Sequence, residues 1–350
     1  SEVNLVPPPT RKRSRVRRVV GILVILVGLA AGGLAAISQT AACRDWLRRQ
    51  VLARLNAHMA GQVVVGSLAG NLFGGLVATD VRLGLEGQRV LAIRRLAATY
   101  DVLTLIRGGG LRITTLDADG VLLQVVADER GWNLARLKTK PTAERDRGLE
   151  VTLESVRITN GALRVIRPER AWRLRGLTLA GAGSFVSGAT GLAIGTLAFT
   201  ELGSGIRLEA GTGRLTFDAK AGVVAEEVRL RTTGSELGFD GRVGPTGAPA
   251  VDAHLSVRRL AAAELQALLG GRAPSSDWHG ELHASGPAAA LVVQSDLRAE
   301  VAERAVGRVR IDGTFDLHDD PPTGELRAAL EHVDLGGIAG PRLPPSDLTG

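Results

Sequence analysis

The segment DWHGELH has side chains whose types and spacing could bind a metal ion. His279, Glu281 and His283 alternate along it, so on a β-strand all three would lie on one face. Two imidazoles and a carboxylate arranged in this way could coordinate zinc. The intervening Trp278 and Leu282 would lie on the opposite face, which is also the pattern of an ordinary strand with one solvated face. We favour the solvated strand and expect no metal site.

Residues typical of catalytic sites are otherwise scattered. The sequence has no G-x-x-x-x-G-K-[ST] phosphate loop, no H-E-x-x-H and no G-x-S-x-G elbow. Asp316, Asp319 and Asp320 cluster beside two prolines, which is typical of a turn. The single cysteine, Cys43, excludes an intrachain disulfide and any site built from several cysteines. We therefore predict a protein that is not an enzyme, with no catalytic residues and no cofactor.

The positive charge is concentrated at one end of the chain. The formal net charge is +7, and residues 1–18 contribute +5 of it through six basic residues and one acidic residue. Aromatic residues make up only 3% of the chain, so the stacking platforms of single-strand binders are missing. We expect no nucleic-acid partner, and we interpret residues 1–18 as a basic segment that faces anionic headgroups.

An uncharged apolar run follows the basic segment. Residues 19–37 contain nineteen consecutive residues without a charge. As a helix they would extend roughly 28 Å, close to the ~30 Å hydrocarbon core of a bilayer. The alternative is a cleaved signal peptide, but its apolar region is usually only ~7–15 residues long. We predict a single transmembrane signal-anchor helix, with residues 1–18 in the cytoplasm by the positive-inside rule.

Residues 40–60 have the pattern of an amphipathic helix. Four apolar residues follow one another at intervals of four and Gly61 ends the pattern; they are Leu47, Val51, Leu55 and Met59. This apolar stripe could lie on the membrane surface or could cover the first edge of the next domain. We favour the second, because an exposed sheet edge needs protection.

From Gln62 onward the apolar period changes from 3.6 to 2 and stays there for most of the chain. Four dipeptides typical of turns predict hairpins between successive strands. They are Glu86-Gly87, Asp119-Gly120, Asn160-Gly161 and Asp312-Gly313. A helical turn or two is predicted at 101–107 and a short amphipathic helix at 261–269.

Roughly fifteen to eighteen strands are predicted, and nothing in the sequence provides helices to cover so large a sheet. Such a sheet must close, pair with another sheet, or curl and present an apolar lining. We predict a mainly β protein in which residues 62–350 form an elongated, curled antiparallel sheet with an apolar groove. The strand pattern continues to the last residues, so we expect this domain to be truncated at its C-terminal end.

Candidate lining residues of this groove follow from the alternation. They are Val77, Val81, Leu83, Val121, Leu123, Val125 and Leu208. A β-bulge would invert every later assignment on its strand. An apolar surface of this extent is typical of a binding site.

Three segments carry a family resemblance. They are VGSLAGNLFGGL at 65–76, LTLIRG at 103–108 and DERGWNL at 128–134. Together with the basic start, the apolar run and the helix that follows it, they resemble the N-terminal region of the TamB family, within the wider AsmA-like group of bridge-type lipid transfer proteins. Gly131, Trp132 and Asn133 match the structural turn of that group.

The resemblance implies a protein of the inner membrane of a diderm bacterium, with its bulk in the periplasm. It implies a β-groove that carries phospholipid between inner and outer membranes and supports outer-membrane biogenesis. The alternative that it implies is a scaffold or chaperone of the translocation and assembly module, acting in outer-membrane protein assembly or autotransporter secretion. The TamA-like β-barrel partner of the family would bind through a C-terminal region that this sequence lacks.

Overall fold

The computed structural model describes Arg49, Ala53, Asn56 and most of the chain from residue 60 to residue 350. The gaps in this range are 72–73, 102–103, 105–109, 138–149, 169–170, 187–188, 219, 246–249, 270–273, 318–322 and 340–345. The predicted basic segment at 1–18 and anchor at 19–37, and most of the amphipathic helix at 40–60 and of the turn at 101–107, lie outside the described residues. No helix in the described part is long and apolar enough to cross a membrane.

Seventeen strands account for most of the described chain. They are β1 Gln62–Val64, β2 Ser67–Asn71, β3 Gly75–Leu85, β4 Gln88–Tyr100, β5 Leu111–Asp128, β6 Gly131–Trp132, β7 Val151–Ile166, β8 Ala171–Val186 and β9 Ala189–Glu201. The remaining ones are β10 Arg207–Asp218, β11 Gly222–Thr232, β12 Glu236–Val243, β13 Ala250–Leu260, β14 Asp277–Pro287, β15 Leu291–Val301, β16 Arg304–Asp316 and β17 Thr323–Glu331. The prediction of a mainly β protein is confirmed.

Short helices interrupt the strands. They are α1 Asn133–Arg136, α2 Ala262–Leu269 and α3 Leu335–Ala339, with a 3₁₀ turn at Ala288–Ala290. Helix α2 confirms the amphipathic helix predicted at 261–269. Its Glu264 accepts hydrogen bonds from the Thr232 and Ser235 hydroxyls at 2.6 and 2.5 Å and from the Gly234 N–H at 3.0 Å. These bonds fasten α2 to the turn between β11 and β12.

The strands form one sheet in which neighbours in sequence are mostly neighbours in space. From β7 to β17 each strand pairs antiparallel with the next, as do β3, β4 and β5, and both β1 and β2 pair with β3. The exception is the pair β5 and β7, which is parallel, with Leu111 beside Val151 and Val126 beside Ile166. The prediction of an antiparallel sheet is therefore wrong at this pair.

The parallel pair has a physical cause in the chain that connects it. Two antiparallel strands can be joined by a tight turn, whereas two parallel strands need a longer crossover. After β5 the chain forms β6, which pairs only with the end of β5, then α1, and then residues 138–149 before β7 begins. This segment is long enough to bring the chain back to the end of the sheet at which β5 begins.

Most of the predicted turn dipeptides lie inside strands. Glu86-Gly87 is a hairpin turn as predicted, but Asp119-Gly120, Asn160-Gly161 and Asp312-Gly313 lie within β5, β7 and β16. The prediction of hairpins there is wrong. At the first two, Gly120 and Asn160 have positive φ, 67° and 53°, and so bend the strand without ending it.

These bends lie next to one another across the sheet. Asp119 and Thr159, which precede Gly120 and Asn160, are register partners, and Asp80 on β3 also has a positive φ of 50°. Left-handed residues and bulges increase local twist and bend the strands that carry them. The line of bends therefore gives the sheet its curvature in this region.

A conventional core is small in this protein. Only eleven apolar side chains in the described part are buried. Large apolar side chains such as Phe185, Phe217 and Leu326 are 44%, 45% and 55% exposed. One face of the sheet is thus not covered by the described helices.

Candidate functional site

A continuous row of apolar residues crosses the sheet. Register partners on adjacent strands place their side chains side by side on the same face, so partners can be followed from strand to strand. The row runs through Ala78, Leu96, Ala118, Ile158, Leu179, Leu197, Gly211, Leu230, Leu237, Val257, Gly280, Leu297, Val309 and Leu330. This central row spans fourteen strands without one polar side chain.

A second row lies two residues further along each strand, or three residues further on β9. On β3 to β10 it contains Leu76, Ala98, Leu116, Val156, Gly181, Ile194 and Gly213. On β11 to β17 it continues with Val228, Phe239, Leu255, Leu282, Ser295, Ile311 and Ala328. A Cβ built on Gly213 would lie 2.9 Å from the Cα of Val228, so the two parts of the row are adjacent where β10 and β11 pair.

Two further rows follow in the same direction. The third contains Tyr100, Ile113, Leu153, Gly183, Leu192, Leu215, Ala225, Gly241, Ala253, Ala284, Val293, Gly313 and Leu326. The fourth contains Leu111, Val151, Phe185, Thr190, Phe217, Val223, Val243, Val251 and Gly286. We call these four rows together the apolar face.

The four rows belong to one side of the sheet because their members are two residues apart along most strands, and three apart only at the register shifts on β5, β7, β9 and β11, where a bulge adds one residue. On β12, for example, they are Leu237, Phe239, Gly241 and Val243, every second residue. Leu153, Gly183, Leu192 and Leu215 of the third row also line a cavity of about 320 Å³ between β7 and β10.

The residues between these rows form a charged face. One of its rows contains Asp240, His254, His283, Gln294, Asp312 and Arg327. Ion pairs cross this face, including Arg258 with Glu236 at 2.7 Å and Arg310 with Glu331 at 3.1 Å. Opposite sides of the same strands thus differ completely in polarity.

Five of the predicted lining residues lie together in apolar rows beyond the bend. Val81 and Val121 share a row through Ile93, Leu83 and Leu123 share the next through Leu91, and Val125 stands beside Val165. Apolar positions on β3 are even-numbered before Asp80 and odd-numbered after it. A left-handed residue interrupts the regular pleat, so this change of phase is what keeps one face apolar across the bend.

The other two predicted lining residues are placed differently. Val77 stands beside Ala97, and through it beside Asp117 and Arg157, so it belongs to a row with charged residues. The sequence prediction missed this because it did not place a bend at Asp80. Leu208 is only 5% exposed, and its Cδ2 lies 3.4 Å from where a Cβ on Gly211 would be. It therefore packs against Gly211 of the central row and is covered there.

Glycines in the rows were not singled out from the sequence. Gly280 has a φ of 143°, and a Cβ there would lie 2.0 Å from the carbonyl oxygen of Asp296. The neighbouring strand can approach only because this residue lacks a side chain. The signal that could have revealed such positions is a glycine that replaces an apolar residue in the alternation.

The turn at Gly131, Trp132 and Asn133 is held by backbone contacts. Gly131 has a φ of 88°, and Asn133 is only 3% exposed. The amide of Asn133 donates to the Gln124 carbonyl at 3.0 Å and accepts from the Val126 N–H at 3.0 Å. The asparagine thus attaches α1 to the backbone of β5.

Asp119 is a carboxylate at the bend with several partners. It accepts hydrogen bonds from the Asn160 amide at 2.6 Å, from Arg94, and from the Thr159 hydroxyl at 3.2 Å. The Asn160 hydrogen bond, followed by that of Arg94, holds the pKa of Asp119 below its usual value. A carboxylate held ionised among such partners serves to order the bent strands, and it lacks the raised pKa expected of a general acid.

The three residues considered for zinc each have a different neighbour. His279 contacts the Arg258 carbonyl, Glu281 lies 3.7 Å from His254, and His283 lies 3.3 Å from Asp252. Within the described part of the chain, no group of three His, Cys, Asp or Glu side chains is placed to hold a metal ion.

Comparison with known proteins adds no relative. No protein-family model, no curated protein and no solved structure matches this chain. The TamB resemblance stays an expectation, and function must be argued from the geometry of the sheet.

Proposed function

We propose that the apolar face is the lining of a groove that carries phospholipid acyl chains between the inner and outer membranes, and so supports outer-membrane biogenesis. The observation that carries this proposal is the central row, which crosses fourteen strands without a polar side chain. The proposal includes a non-enzymatic role, anchoring by residues 19–37 in the inner membrane, and a periplasmic location for the sheet.

The dimensions of the apolar face suit acyl chains. Fourteen strands at ~4.8 Å spacing extend about 60 Å. Alternate residues on a strand are roughly 6.7 Å apart, so four rows cover about 20 Å along the strands. One leaflet of a bilayer has a hydrocarbon thickness of ~15 Å, half of the ~30 Å core. Where all four rows are present, from β5 to β14, the groove would therefore be wide enough to shelter the tails of one leaflet.

The free-energy cost of exposing acyl chains to water explains why such a groove would be needed. Exposing one methylene to water costs ~0.8 kcal/mol, and two acyl chains contain about thirty, so releasing a phospholipid costs on the order of 25 kcal/mol. Unassisted transfer would be very slow. A continuous apolar lining lowers this barrier because the tails stay covered while the headgroup stays in water.

A second candidate function rests on the last strand. Among the described residues, β17 has β16 as its only strand partner, and Thr323 to Ala329 are exposed. An exposed edge can accept an added strand from another polypeptide. A scaffold for outer-membrane polypeptides or autotransporters would use this edge, whereas a lipid carrier would use the apolar face.

Photo-cross-linking in cells separates these functions. We would place the reactive residue at Phe217 and Leu326 on the apolar face, which are 45% and 55% exposed. Thr216 and Arg327 are matched controls, since each is the exposed neighbour on the same strand and faces the other way. Leu208 is too buried to be a useful position.

Each outcome has a clear meaning. Phospholipid adducts at Phe217 and Leu326, with few at Thr216 and Arg327, would support the lipid carrier. Polypeptide adducts along β17 without lipid on the apolar face would favour the scaffold. Equal lipid labelling at all four positions would contradict both the groove and the assignment of its face.

A further inference from the structure

The apolar rows beyond the bend end in an arginine between two tryptophans. Along β7, Leu163 and Val165 point to the apolar side, where they stand beside Leu174 and Trp172 of β8. Arg167 follows two residues after Val165, just past the end of the strand. Towards the end of β7, the side chains on the apolar side are therefore first aliphatic, then aromatic, then cationic.

The guanidinium of Arg167 contacts both aromatic rings. Its Cζ lies 5.0 Å from the ring centroid of Trp132 and 5.8 Å from that of Trp172. Both distances are within the range of a cation–π interaction. The stacking fixes the plane of the guanidinium and uses its faces, while its N–H groups at the edge stay available as hydrogen-bond donors.

The charges around Arg167 are also unbalanced. Arg164 and Arg173 are register partners, both exposed, and Arg175 is exposed two residues further along β8. None of these arginines, Arg167 included, forms an ion pair with a carboxylate of the described residues. Arg164 and Arg173 alternate with Val165 and Trp172, so they lie on the opposite face of the sheet and act on Arg167's surroundings only through a longer-range positive field.

Two carboxylates beside the turn that carries Trp132 are paired with other arginines. Glu86 pairs with Arg130 at 2.9 Å, and Asp128 pairs with Arg136 at 2.8 Å. The first pair joins the turn after β3 to the turn after β5, and the second joins β5 to α1. Neither carboxylate pairs with Arg167.

We propose that Trp132, Arg167 and Trp172 form a site for the headgroup of an anionic phospholipid, with Arg164 and Arg173 adding to its positive field. The order of groups matches that of a lipid at a membrane interface, where tails meet aliphatic side chains, the glycerol region meets indoles and the phosphate meets arginine. The aliphatic rows directly beside the site favour a lipid over a free phosphate. This inference deepens the proposed function and rests on it in placing the tails on the apolar face.

The test uses the full chain in nonionic detergent with 5-fluorotryptophan at its four tryptophans. Fluorine NMR would follow titration with monomeric dihexanoylphosphatidylglycerol, dihexanoylphosphatidylcholine and glycerol 3-phosphate. Signals are assigned by single Trp→Phe changes. The variants are Arg167→Gln and, as a matched control, Arg327→Gln, which removes an exposed arginine from β17 on the charged face.

We expect the Trp132 and Trp172 signals to shift saturably with the anionic lipid, and at least about fivefold more weakly with the zwitterionic one, since both lipids carry a phosphate but the choline ammonium of the second is repelled by Arg167. Arg167→Gln should weaken binding by a similar factor, and Arg327→Gln should not. Unchanged Trp46 and Trp278 signals and an unchanged melting temperature would show that the Arg167→Gln variant is folded.

Three results would overturn the site: equal affinity for both lipids, an equally strong response to glycerol 3-phosphate, or no effect of Arg167→Gln. A variant that melts earlier but binds lipid normally would show that the stack is only a structural clamp, and would also overturn it. Cross-linking at Phe217 and Leu326 reports on the groove independently. A failed headgroup site with lipid adducts at those positions would leave the proposed function standing.

Discussion

The two faces of the sheet differ most clearly on β12, β13 and β14, where each face is built from neighbouring residues of the same strands. Phe239, Leu255 and Leu282 are register partners on the apolar face. The adjacent row on the other face contains Asp240, His254 and His283.

This difference shows which face needs a partner. Charged and imidazole groups can be solvated, so the charged face is complete in water. The apolar face leaves two Phe, two Val and one Leu side chain 38–55% exposed, and an apolar patch of that size on a soluble surface usually has a partner. Changes on the apolar face should therefore affect ligand transfer, whereas changes on the charged face should affect only stability, and only slightly.

The largest effect should come from a charge on the apolar face. Phe217→Asp and Leu123→Asp should each lower phospholipid transfer between vesicles by about tenfold or more, because burying a large apolar side chain is worth ~1.5–3 kcal/mol and a carboxylate repels acyl chains. Thr216→Asp is the control, since it adds the same charge to β10 on the other face. Normal transfer by both folded apolar-face variants would refute the lipid carrier.

A methyl group at a glycine of the central row should lower the free energy of unfolding. Gly280→Ala would place its Cβ 2.0 Å from the Asp296 carbonyl oxygen at a φ of 143°, so strain of about 1–3 kcal/mol is expected in chemical denaturation. Gly195→Ala is the matched control, because its Cβ would meet only the Ala180 carbonyl oxygen at 3.6 Å. Equal stability of the two variants would mean that β14 and β15 are not as close as described.

Loss of the buried amide at the family-like turn should also be costly. Asn133→Ala leaves the Val126 N–H and the Gln124 carbonyl without their partner, at a cost of about 1–3 kcal/mol. Hydrogen exchange at Val126 should accelerate along with the fall in melting temperature. Unchanged protection at Val126 would show that the asparagine does not attach α1 to β5.

Acid should remove a smaller contribution at the turn after β9. Partial burial acts to raise the pKa of Glu201, but hydrogen bonds from the Ser204 N–H and hydroxyl and from the Gly203 N–H outweigh it and lower the pKa to about 2. A lowered pKa in the folded state means that this contribution is complete above the usual pKa of 4.5 and is lost as the pH falls from there towards 2.

Glu201→Gln should therefore destabilise the protein at pH 7, by about 1 kcal/mol for the weakened hydrogen bonds. It should also reduce the difference in stability between pH 5 and pH 2.5, which denaturation at both pH values would measure. An identical pH dependence in the variant would assign the acid sensitivity to other carboxylates.

The smallest effect should come from an ion pair on the charged face. Arg258 and Glu236 are 2.7 Å apart, but their side chains are 70% and 45% exposed. Arg258→Gln should change the free energy of unfolding by less than about 1 kcal/mol and leave lipid transfer unchanged. A large loss of lipid transfer in this variant would contradict the proposed difference in role between the two faces.

Alternation alone predicts much of the sheet and α2, because a period of 2 and a period of 3.6 are local properties of the chain. It does not show where a strand bends. Asp119-Gly120 and Asn160-Gly161 have the composition of turns, yet each lies inside a long strand because the neighbouring strands continue on both sides of it. For the same reason Val77 was assigned to the wrong set of neighbours.

The sequence by itself determined that this is a mainly β protein with one apolar and one charged side to most strands, since pleating sends alternate residues to opposite faces. Only the tertiary structure decided that the apolar residues join into rows. That joining depends on register, on the bends at Asp80, Gly120 and Asn160, and on the parallel return of β7 beside β5. These are contacts between residues far apart in the chain, and no local pattern specifies them.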